Sequence, residues 1–385
     1  GVHIVEGGKP SLLPNQTLVA MVKDCHGHWL AIVDQPIQSH IRGLHFTDGE
    51  PPRRADHKEV PECLPAAADL LNPDAMACFR RCVYDRFHRE FGAHFGTTIK
   101  GIFTDEPSLL GRGPAFDPRP GTNDILSHVN RILGYDFTPH LPALWDDAEP
   151  DARRYRTDYH HAVESRLEET YYQPLCSWCE EHGLWLCGHP GESDNIGQER
   201  YFHVPGQDVV LRRILPDTPS ALEGVESVQA KNAASAMVHL GRRRNSNEFA
   251  GAYGHQHTFE EYRWLALWLL ARGCNLLIPH AFYYSVRGPR VDERPRDVGP
   301  NSPWWDRYPQ FAELTGKLSW LNTDSTPVCD IAILTRGAAL PWAAASVCLR
   351  NQRDFLYLED RHLWEDVVIK SDGVHLAGMH YRAVI

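Results

Sequence analysis

Two short stretches of the sequence place carboxylates directly after apolar runs that are typical of buried strands. In GIFTDEPS, at 101–108, such a run leads into Asp105 and Glu106, and in RRRNSNEFAGAYG, at 242–254, Glu248 follows a similar run. A charge at the exit of a buried strand is costly unless it is paired or put to use. Two carboxylates on separate strand ends suit glycoside hydrolysis: one protonates the leaving oxygen, while the other attacks the anomeric carbon or activates water.

Each of these stretches also has a purely structural explanation. Asp105 could cap the segment that follows its strand, and Glu248 could be a surface residue at a strand–helix turn. The small residues Ala250, Gly251 and Gly254 favour a functional interpretation, because they let the backbone pass close to a ligand. Two such stretches in one chain indicate a site more strongly than either does alone.

Polar and aromatic side chains follow two further strand-like runs, in GHPGESD (188–194) and in PHAFYYSVRGPR with the later NSPWWDRY. Sugars present flat C–H faces that stack on aromatic rings, and hydroxyls that need polar partners. The predicted substrate-binding residues are therefore His189, Glu192, His280, Tyr283, Tyr284, Trp304 and Trp305. For His189 a structural histidine fits equally well, and for the two tryptophans a place in the core or at a helix start fits equally well.

Strand-like and helix-like segments alternate along most of the chain. The predicted strands cover 98–104, 184–188, 207–211, 243–249 and 274–279, and the predicted helices cover 151–182, 225–239, 258–272 and 306–322. This alternation indicates βαβ units and a parallel sheet, either in a (β/α) barrel or in an open doubly wound fold. Because no glycine-rich phosphate-binding motif follows any strand, the barrel is favoured.

A helix is also predicted near the start of this region, with Asn72 as its N-cap and Pro73 at its first position. Phe79, Val83, Phe87 and Phe91 recur at intervals of four and predict a single apolar helix face.

The pattern divides the chain into three predicted domains. Residues 1–62 are β-rich, with strands at 18–25 and 29–37, residues 63–326 form the barrel domain, and residues 327–385 begin another α/β domain that is cut short. The chain starts with Gly1 and has no initiator methionine, so we expect its natural N-terminus to lie upstream, which leaves targeting open.

Composition narrows the classes of function. The 385 residues carry a formal charge of −11, which disfavours nucleic acid and anionic membranes as partners, and no uncharged apolar run approaches the roughly 18 residues of a membrane span. Ten scattered cysteines weakly favour a reducing, cytoplasmic compartment, although a secreted or periplasmic location remains open. Neither the single CxxC at Cys176 and Cys179 nor the 22 histidines form a metal motif, so no metal and no cofactor is predicted.

Taken in order, AADLLNPDA, GIFTDEPS, GH, NEFAGAYG, PHAFYYS and PWW, within residues 66–325, resemble motifs of large bacterial glycoside hydrolases. These enzymes are related to glycoside hydrolase family 106, the α-L-rhamnosidases, and to the barrels of clan A. The resemblance implies a (β/α)8 TIM-barrel-like domain, with Glu106 as the acid after strand four and Glu248 as the nucleophile or base after strand seven. Clan A enzymes usually have Asn before the acid, where this chain has Asp105, so both acidic residues of that pair remain candidates for the proton donor.

The resemblance also implies how the barrel and its neighbouring modules are arranged along the chain. The first two barrel strands are not evident, residues 1–62 correspond to a module inserted after strand two, and residues 327–385 correspond to the start of a Rossmann-like domain. The expected activity is hydrolysis of O-glycosidic bonds in a plant or bacterial polysaccharide or oligosaccharide. The alternative is a non-catalytic carbohydrate-binding protein on a degenerate barrel. The oligomeric state is not indicated.

Overall fold

The computed structural model describes residues 2–5, 10–36, 68–110, 117–288 and 294–385. Contacts divide the chain into two compact units. The first unit comprises residues 1–93 and 108–175, and the second comprises residues 94–107 and 176–385. Among the described residues, no helix is both long and apolar enough to cross a membrane. The predicted domain boundaries at 62/63 and 326/327 stay predictions, and residues 37–62 lie outside the described residues.

The first unit combines an antiparallel sheet with helices. Strands β1 (Val2–Val5) and β2 (Thr17–Lys23) both pair with β3 (Trp29–Asp34), and the predicted strands at 18–25 and 29–37 match β2 and β3. Its helices are α1 (Pro73–Cys82), α2 (Tyr84–Phe91), α3 (Ile125–Leu133) and α4 (Ala152–Leu167), with a π-helical turn at Glu168–Tyr172 and 3₁₀ turns that include Thr138–Leu144.

Asn72 caps α1 as the sequence predicts, and its side-chain oxygen accepts the amide of Asp74 at 2.9 Å. The predicted continuous helix face from Phe79 to Phe91 is wrong in detail. The helix breaks at Val83, whose φ of −110° and ψ of −65° separate α1 from α2. Val83 is also 48 % exposed, so burial of its side chain does not keep the two helices continuous.

The predicted helix at 151–182 is likewise interrupted, since α4, the π-helical turn and α5 (Gln173–Glu181) follow one another. Hydrophobic periodicity does not distinguish a π-helical turn from an α-helical one over so short a segment.

In the described part of the second unit, five strands run parallel in chain order: β4 (Gly101–Thr104), β5 (Trp185–Gly188), β6 (Gly206–Val209), β7 (Ser246–Phe249) and β8 (Leu276–Pro279). β4 pairs with β5, β7 pairs with both β6 and β8, and a parallel bridge joins Cys187 to Val204. These strands confirm the predicted parallel β/α alternation. Within the described residues they do not close into a ring, so the (β/α)8 barrel stays a prediction.

The helices that follow these strands match the sequence pattern closely. They are α6 (Gln229–His239), α7 (Phe259–Leu270) and α8 (Tyr308–Asn322), and 3₁₀ turns lie at Gln198–Tyr201, Pro219–Ala221, Val225–Val228 and Trp305–Arg307. Between sheet and helices, Phe249 stacks on Tyr262 of α7, with ring centroids 5.1 Å apart. This contact anchors the carboxyl end of β7 and leaves the alternate side chain, Glu248, on the opposite face.

The last part of the second unit forms two small sheets. β9 (Ile331–Thr335) pairs in parallel with β10 (Leu356–Glu359) and with β14 (Ala383–Val384). α9 (Trp342–Arg350) and α10 (His362–Glu365) accompany these strands, and β11 (Val368–Lys370), β12 (Gly373–Leu376) and β13 (Met379–Tyr381) form an antiparallel meander. This part packs on α6, since Tyr357 donates its backbone N–H to the Ser235 hydroxyl at 2.9 Å.

Candidate active site

The carboxyl ends of the parallel strands bring four of the predicted site residues to one edge of the second unit. Asp105 follows β4, His189 follows β5, Glu248 is the penultimate residue of β7, and His280 follows β8. Carboxyl ends of parallel strands meet at the same edge of a sheet, which is where α/β proteins place ligands. Residues that lie up to 175 positions apart in the chain therefore reach a common point.

Glu248 lies at the centre of this group. Its Oε2 is 3.4 Å from His189 Nε2, and its Oε1 is 3.7 Å from His280 Nε2. His189 Nε2 also lies 3.7 Å from Asp105 Oδ1. One donor atom from each of Asp105, His189 and Glu248 falls within 4.8 Å of the other two. The arrangement thus places two carboxylates beside the same nitrogen, Nε2, of one imidazole.

Burial differs sharply between the two carboxylates. The Glu248 side chain is 13 % exposed and that of His189 is 2 % exposed, whereas Asp105 is 47 % exposed. Burial lowers the pKa of His280 below its usual value, and the Glu248 carboxylate partly opposes that effect. His280 is therefore neutral near pH 7, and its imidazole can offer one donor and one acceptor.

The backbone is strained where two of these strands end. Glu106 has a φ of 39°, Ala250 a φ of 69° and Ala252 a φ of 54°, all in the left-handed region that side chains with a Cβ rarely adopt. Such residues persist only where the surrounding structure enforces them, and they concentrate at functional sites.

Two glycines allow the close approaches that the site needs. At Gly188, whose φ is +117°, a Cβ would lie 2.0 Å from the carbonyl oxygen of Thr104, so only glycine lets β5 end beside β4 at this point. At Gly251 a Cβ would lie 3.1 Å from the His280 ring, so its absence leaves room for that imidazole. Gly251, one of the small residues that the sequence places after Glu248, thus has a steric reason.

The remaining predicted site residues differ in their exposure and contacts. Tyr283 lies near His280, with ring centroids 6.2 Å apart, and its hydroxyl donates to the Arg294 carbonyl at 2.9 Å. Tyr284 and Glu192 are exposed, and Glu106 is half-buried one residue beyond Asp105.

The two predicted tryptophans, Trp304 and Trp305, lie in different environments. Trp304 is 7 % exposed and packs against Phe259 and Tyr262, so its ring belongs to the core and does not face solvent as a sugar platform would. Trp305 stays 36 % exposed and stacks on Tyr308, with ring centroids 5.0 Å apart.

Sequence reasoning missed two residues at this edge. Asp208 on β6 is the direct register partner of Glu248 and is only 7 % exposed. Phe103 on β4 lies edge-on to His189, with ring centroids 5.8 Å apart, and is 41 % exposed. The sequence signal for Asp208 is a charged residue inside the strand-like run QDVV. A carboxylate that is buried in a strand costs free energy unless it is paired or functional.

Asp105, His189 and Glu248 also offer donor types that a divalent metal accepts, namely two carboxylate oxygens and one imidazole nitrogen. The same three side chains satisfy the geometric requirement for acid–base chemistry, in which ionisable groups stand within a few ångströms of one another.

No model of a protein family and no curated protein sequence matches this chain. Among solved structures, the fold is similar to that of a rhamnosidase from Novosphingobium sp. PP1Y, with a TM-score of 0.61 at 15 % sequence identity. That overlap covers 86 % of this chain and 32 % of the rhamnosidase, so the chain spans about a third of its neighbour's length. The mixed α/β fold is thus one that a glycoside hydrolase also has.

Two β-galactosidases overlap with the chain more loosely. The enzyme from Rahnella sp. R3 has a TM-score of 0.46 at 12 % identity, covering 75 % of this chain and 49 % of that one. The enzyme from Marinomonas ef1 has a TM-score of 0.47 at 10 % identity, covering 76 % and 54 %. Overlaps at this level do not define a shared fold.

Proposed function

We propose that this chain is a glycoside hydrolase in which Glu248 is the nucleophile or general base and a carboxyl of the Asp105–Glu106 pair is the acid. The observation that carries the proposal is the setting of Glu248: a largely buried carboxylate at the carboxyl edge of a parallel sheet, 3.4 Å from His189 and 3.7 Å from His280. A second carboxylate oxygen, from Asp105, lies within 4.8 Å. Two carboxylates at one point are the minimum that glycoside hydrolysis needs.

The two histidines have a role in this mechanism. An imidazole N–H that points at a carboxylate favours its ionised form and fixes its orientation. His189 lies within hydrogen-bond distance of one Glu248 oxygen, and His280 lies 3.7 Å from the other, so the two imidazoles restrict how that carboxylate can turn. In its ionised form, Glu248 would attack the anomeric carbon or accept a proton from water.

The identity of the acid has a stereochemical consequence. Retaining enzymes hold their two carboxyl groups about 5–5.5 Å apart, and inverting enzymes about 6.5–9.5 Å apart, to leave room for water. The separation of at most 4.8 Å between an Asp105 oxygen and a Glu248 oxygen matches the shorter class. With Asp105 as the acid, we therefore expect retention of configuration.

Exposed aromatic rings beside this edge support a sugar as the substrate. Phe103 and Trp305 keep 41 % and 36 % of their surface exposed, and Tyr284 is fully exposed. Such rings can stack on the C–H faces of a sugar. We propose an O-glycoside of plant or bacterial origin, and an aryl α-L-rhamnoside is the first probe because the neighbour at TM-score 0.61 is a rhamnosidase.

The alternative is a carbohydrate-binding protein without catalysis. It is favoured by the sheet itself, since the described strands of the second unit do not close into a ring. The two functions differ in one respect: both predict that sugar binds, but only the hydrolase predicts turnover that depends on Glu248.

The test compares Glu248→Gln with the parent chain. Gln keeps the volume and removes the charge, so turnover of a panel of aryl glycosides should fall at least about a thousandfold while sugar binding persists. Glu313→Gln, on the exposed face of α8 beside Lys317, is the matched control and should keep full activity. Binding by every variant with turnover by none would establish the binding protein instead.

A further inference from the structure

A second cluster of chemically reactive side chains lies on the antiparallel meander of β11, β12 and β13, apart from the candidate active site. His375 on β12 and His380 on β13 are direct cross-strand partners. Their imidazole rings stack, with centroids 4.5 Å apart and planes within 8° of parallel. Asp372 stands in the turn between β11 and β12. Register alone therefore fixes two imidazoles side by side next to a carboxylate.

Both imidazoles point the same nitrogen at that carboxylate. His375 Nε2 is 3.0 Å from Asp372 Oδ1, and His380 Nε2 is 3.7 Å from Asp372 Oδ2. His380 Nε2 also lies 2.9 Å from the Asp372 carbonyl oxygen. One donor atom from each of the three residues falls within 4.8 Å of the other two. The ligand atoms of a tetrahedral Zn²⁺ lie roughly 3–3.5 Å apart, so small side-chain rotations close the remaining gap.

The backbone leaves space for this arrangement. A Cβ on Gly373 would lie 3.0 Å from His380 Nε2 and 2.3 Å from the Tyr381 carbonyl oxygen. Gly373 also has a φ of +147°, in a region that other residues rarely adopt. The glycine thus permits the His380 ring to lie over the turn that carries Asp372.

We propose that Asp372, His375 and His380 form a binding site for a divalent transition-metal ion, with Zn²⁺ as its representative. Two imidazoles and one carboxylate are ligands that Zn²⁺ takes in proteins, and water completes the coordination. All three side chains are partly exposed, with 58 %, 26 % and 41 % of their surface accessible, so an ion reaches them without unfolding. Each neutral imidazole carries its proton on Nδ1 when Nε2 binds the metal.

The bound ion would stabilise the meander. Its strands are three to four residues long, and Val368 and Ile369 on β11 are 54 % and 76 % exposed. Strands this short are marginal on their own, and in this meander the buried apolar side chains are Leu376, Met379 and Tyr381 of β12 and β13. A metal that binds only the folded meander adds stability in proportion to its occupancy.

Two other ligand groups in the same unit must be distinguished in the test. Asp105, His189 and Glu248 at the candidate active site form the first, which H375A/H380A leaves intact, and Cys176, Glu180 and His203 form the second. His203 Nε2 lies 3.2 Å from Glu180 Oε1, and Cys176 Sγ lies 3.8 Å from the same oxygen. Burial raises the pKa of the Cys176 thiol to about 11, which disfavours the thiolate that a metal needs. A thiolate ligand is also visible directly, because it gives Co²⁺ a sulfur-to-metal charge-transfer band.

The experiment titrates the 385-residue chain with Zn²⁺ by calorimetry and with Co²⁺ by absorption. We expect one site whose Co²⁺ spectrum lacks the thiolate band, and we expect its affinity to fall more than about tenfold in H375A/H380A. The H88A/H94A variant removes two exposed imidazoles from elsewhere in the described chain and should bind as the parent does. Superimposable titrations of the parent and H375A/H380A would overturn the proposal.

A second variant guards against local unfolding of the meander. Asp372→Asn keeps the side-chain shape but removes the charge, so it should weaken Zn²⁺ binding while the far-ultraviolet dichroism stays unchanged. Asp372→Asn that binds Zn²⁺ as tightly as the parent, or a thiolate band at the first equivalent of Co²⁺, would contradict the assignment.

Discussion

At the scale of single residues, the proposed function depends on the difference between Glu248 and its acidic neighbours. Glu248 is largely buried and lies close to two imidazoles, whereas Asp105 is about half exposed and lies close to one. The carboxylate that lies close to two imidazoles suits the role of nucleophile or general base. A carboxyl group at the solvent edge suits the role that exchanges its proton in each cycle.

Leaving-group dependence distinguishes the two candidate acids. We expect the Asp105→Asn variant to lose activity on alkyl glycosides about a hundredfold more than on aryl glycosides, because a good leaving group needs little protonation. Glu106→Gln should reduce both activities by a similar factor. Kinetics of both variants on a matched pair of alkyl and aryl substrates check this. If the dependence appears in Glu106→Gln instead, Glu106 is the acid.

At the scale of elements, α7 illustrates how local sequence fixes a helix that supports the site. The Thr258 hydroxyl oxygen accepts a hydrogen bond from the Glu261 backbone N–H at 3.1 Å. The Glu261 carboxylate in turn accepts one from the Thr258 backbone N–H at 3.1 Å. The side-chain hydrogen bonds from Arg212, at 2.8 and 2.9 Å, hold the pKa of Glu261 down at about 2. This capping box begins the helix whose Tyr262 supports the end of β7.

Removal of the cap should have a measurable cost. Thr258→Ala leaves the amide of Glu261 without its side-chain acceptor, so we expect the free energy of unfolding to fall by about 1 kcal/mol. Urea denaturation followed by circular dichroism measures this change. Thr258→Ser keeps the hydroxyl and should recover most of the loss, and equal midpoints for the Ala variant and the parent would show that the cap contributes nothing.

A buried histidine couples α6 to the meander in a pH-dependent way. His239 Nε2 lies 2.6 Å from the Tyr381 hydroxyl, and the His362 ring faces it at 5.6 Å. Burial lowers the pKa of His239 to about 3. Between that value and the usual value near 6.5, the unfolded chain binds a proton that the folded chain refuses, so stability falls as the pH falls.

We therefore expect the free energy of unfolding to decrease from pH 7 toward pH 4 by up to about 1.4 kcal/mol per pH unit for this one group. His239→Gln keeps an amide within reach of Tyr381 but does not titrate, so its stability should change less steeply over the same interval. Urea unfolding at several pH values gives both slopes. The exposed His88→Gln serves as the control, and identical slopes for His239→Gln and the parent would refute the assignment.

The sequence predicted many of these elements because their signals are local. The alternation of apolar strands and helices places each of β4 to β8 within about three residues of its observed start, and Asn72 and Pro73 mark the start of α1. The break at Val83 was not predicted, because four-residue periodicity continues across it. The closeness of His189 to Glu248 is a property of the sheet register, which no local pattern contains.

Asp208 shows the same limit at the site. It lies within a strand, and only the pairing of β6 with β7 reveals it as the neighbour of Glu248. Trp304 shows the opposite error. Its sequence context suggested a ring that stacks on sugar, but the structure buries the side chain in the core with residues of α7 and α8.

At the scale of the whole molecule, the fold resembles about a third of a rhamnosidase, and the candidate site lies within one compact unit of this chain. Asp105, His189, Glu248 and His280 all belong to residues 94–107 and 176–385. The proposed chemistry thus needs only groups that this unit supplies.

The most direct test of the central claim follows glycoside hydrolysis by proton NMR, beginning with an aryl α-L-rhamnoside and extending to other aryl glycosides. The account predicts that the 385-residue chain releases free sugar, with a single anomer in excess at early times, and that Glu248→Gln releases none above the uncatalysed rate. Retention of configuration would support the Asp105–Glu248 pair, whose nearest oxygens lie within 4.8 Å. Release of sugar at equal rates by the parent and by Glu248→Gln, or its absence from the parent with every glycoside, would contradict the account.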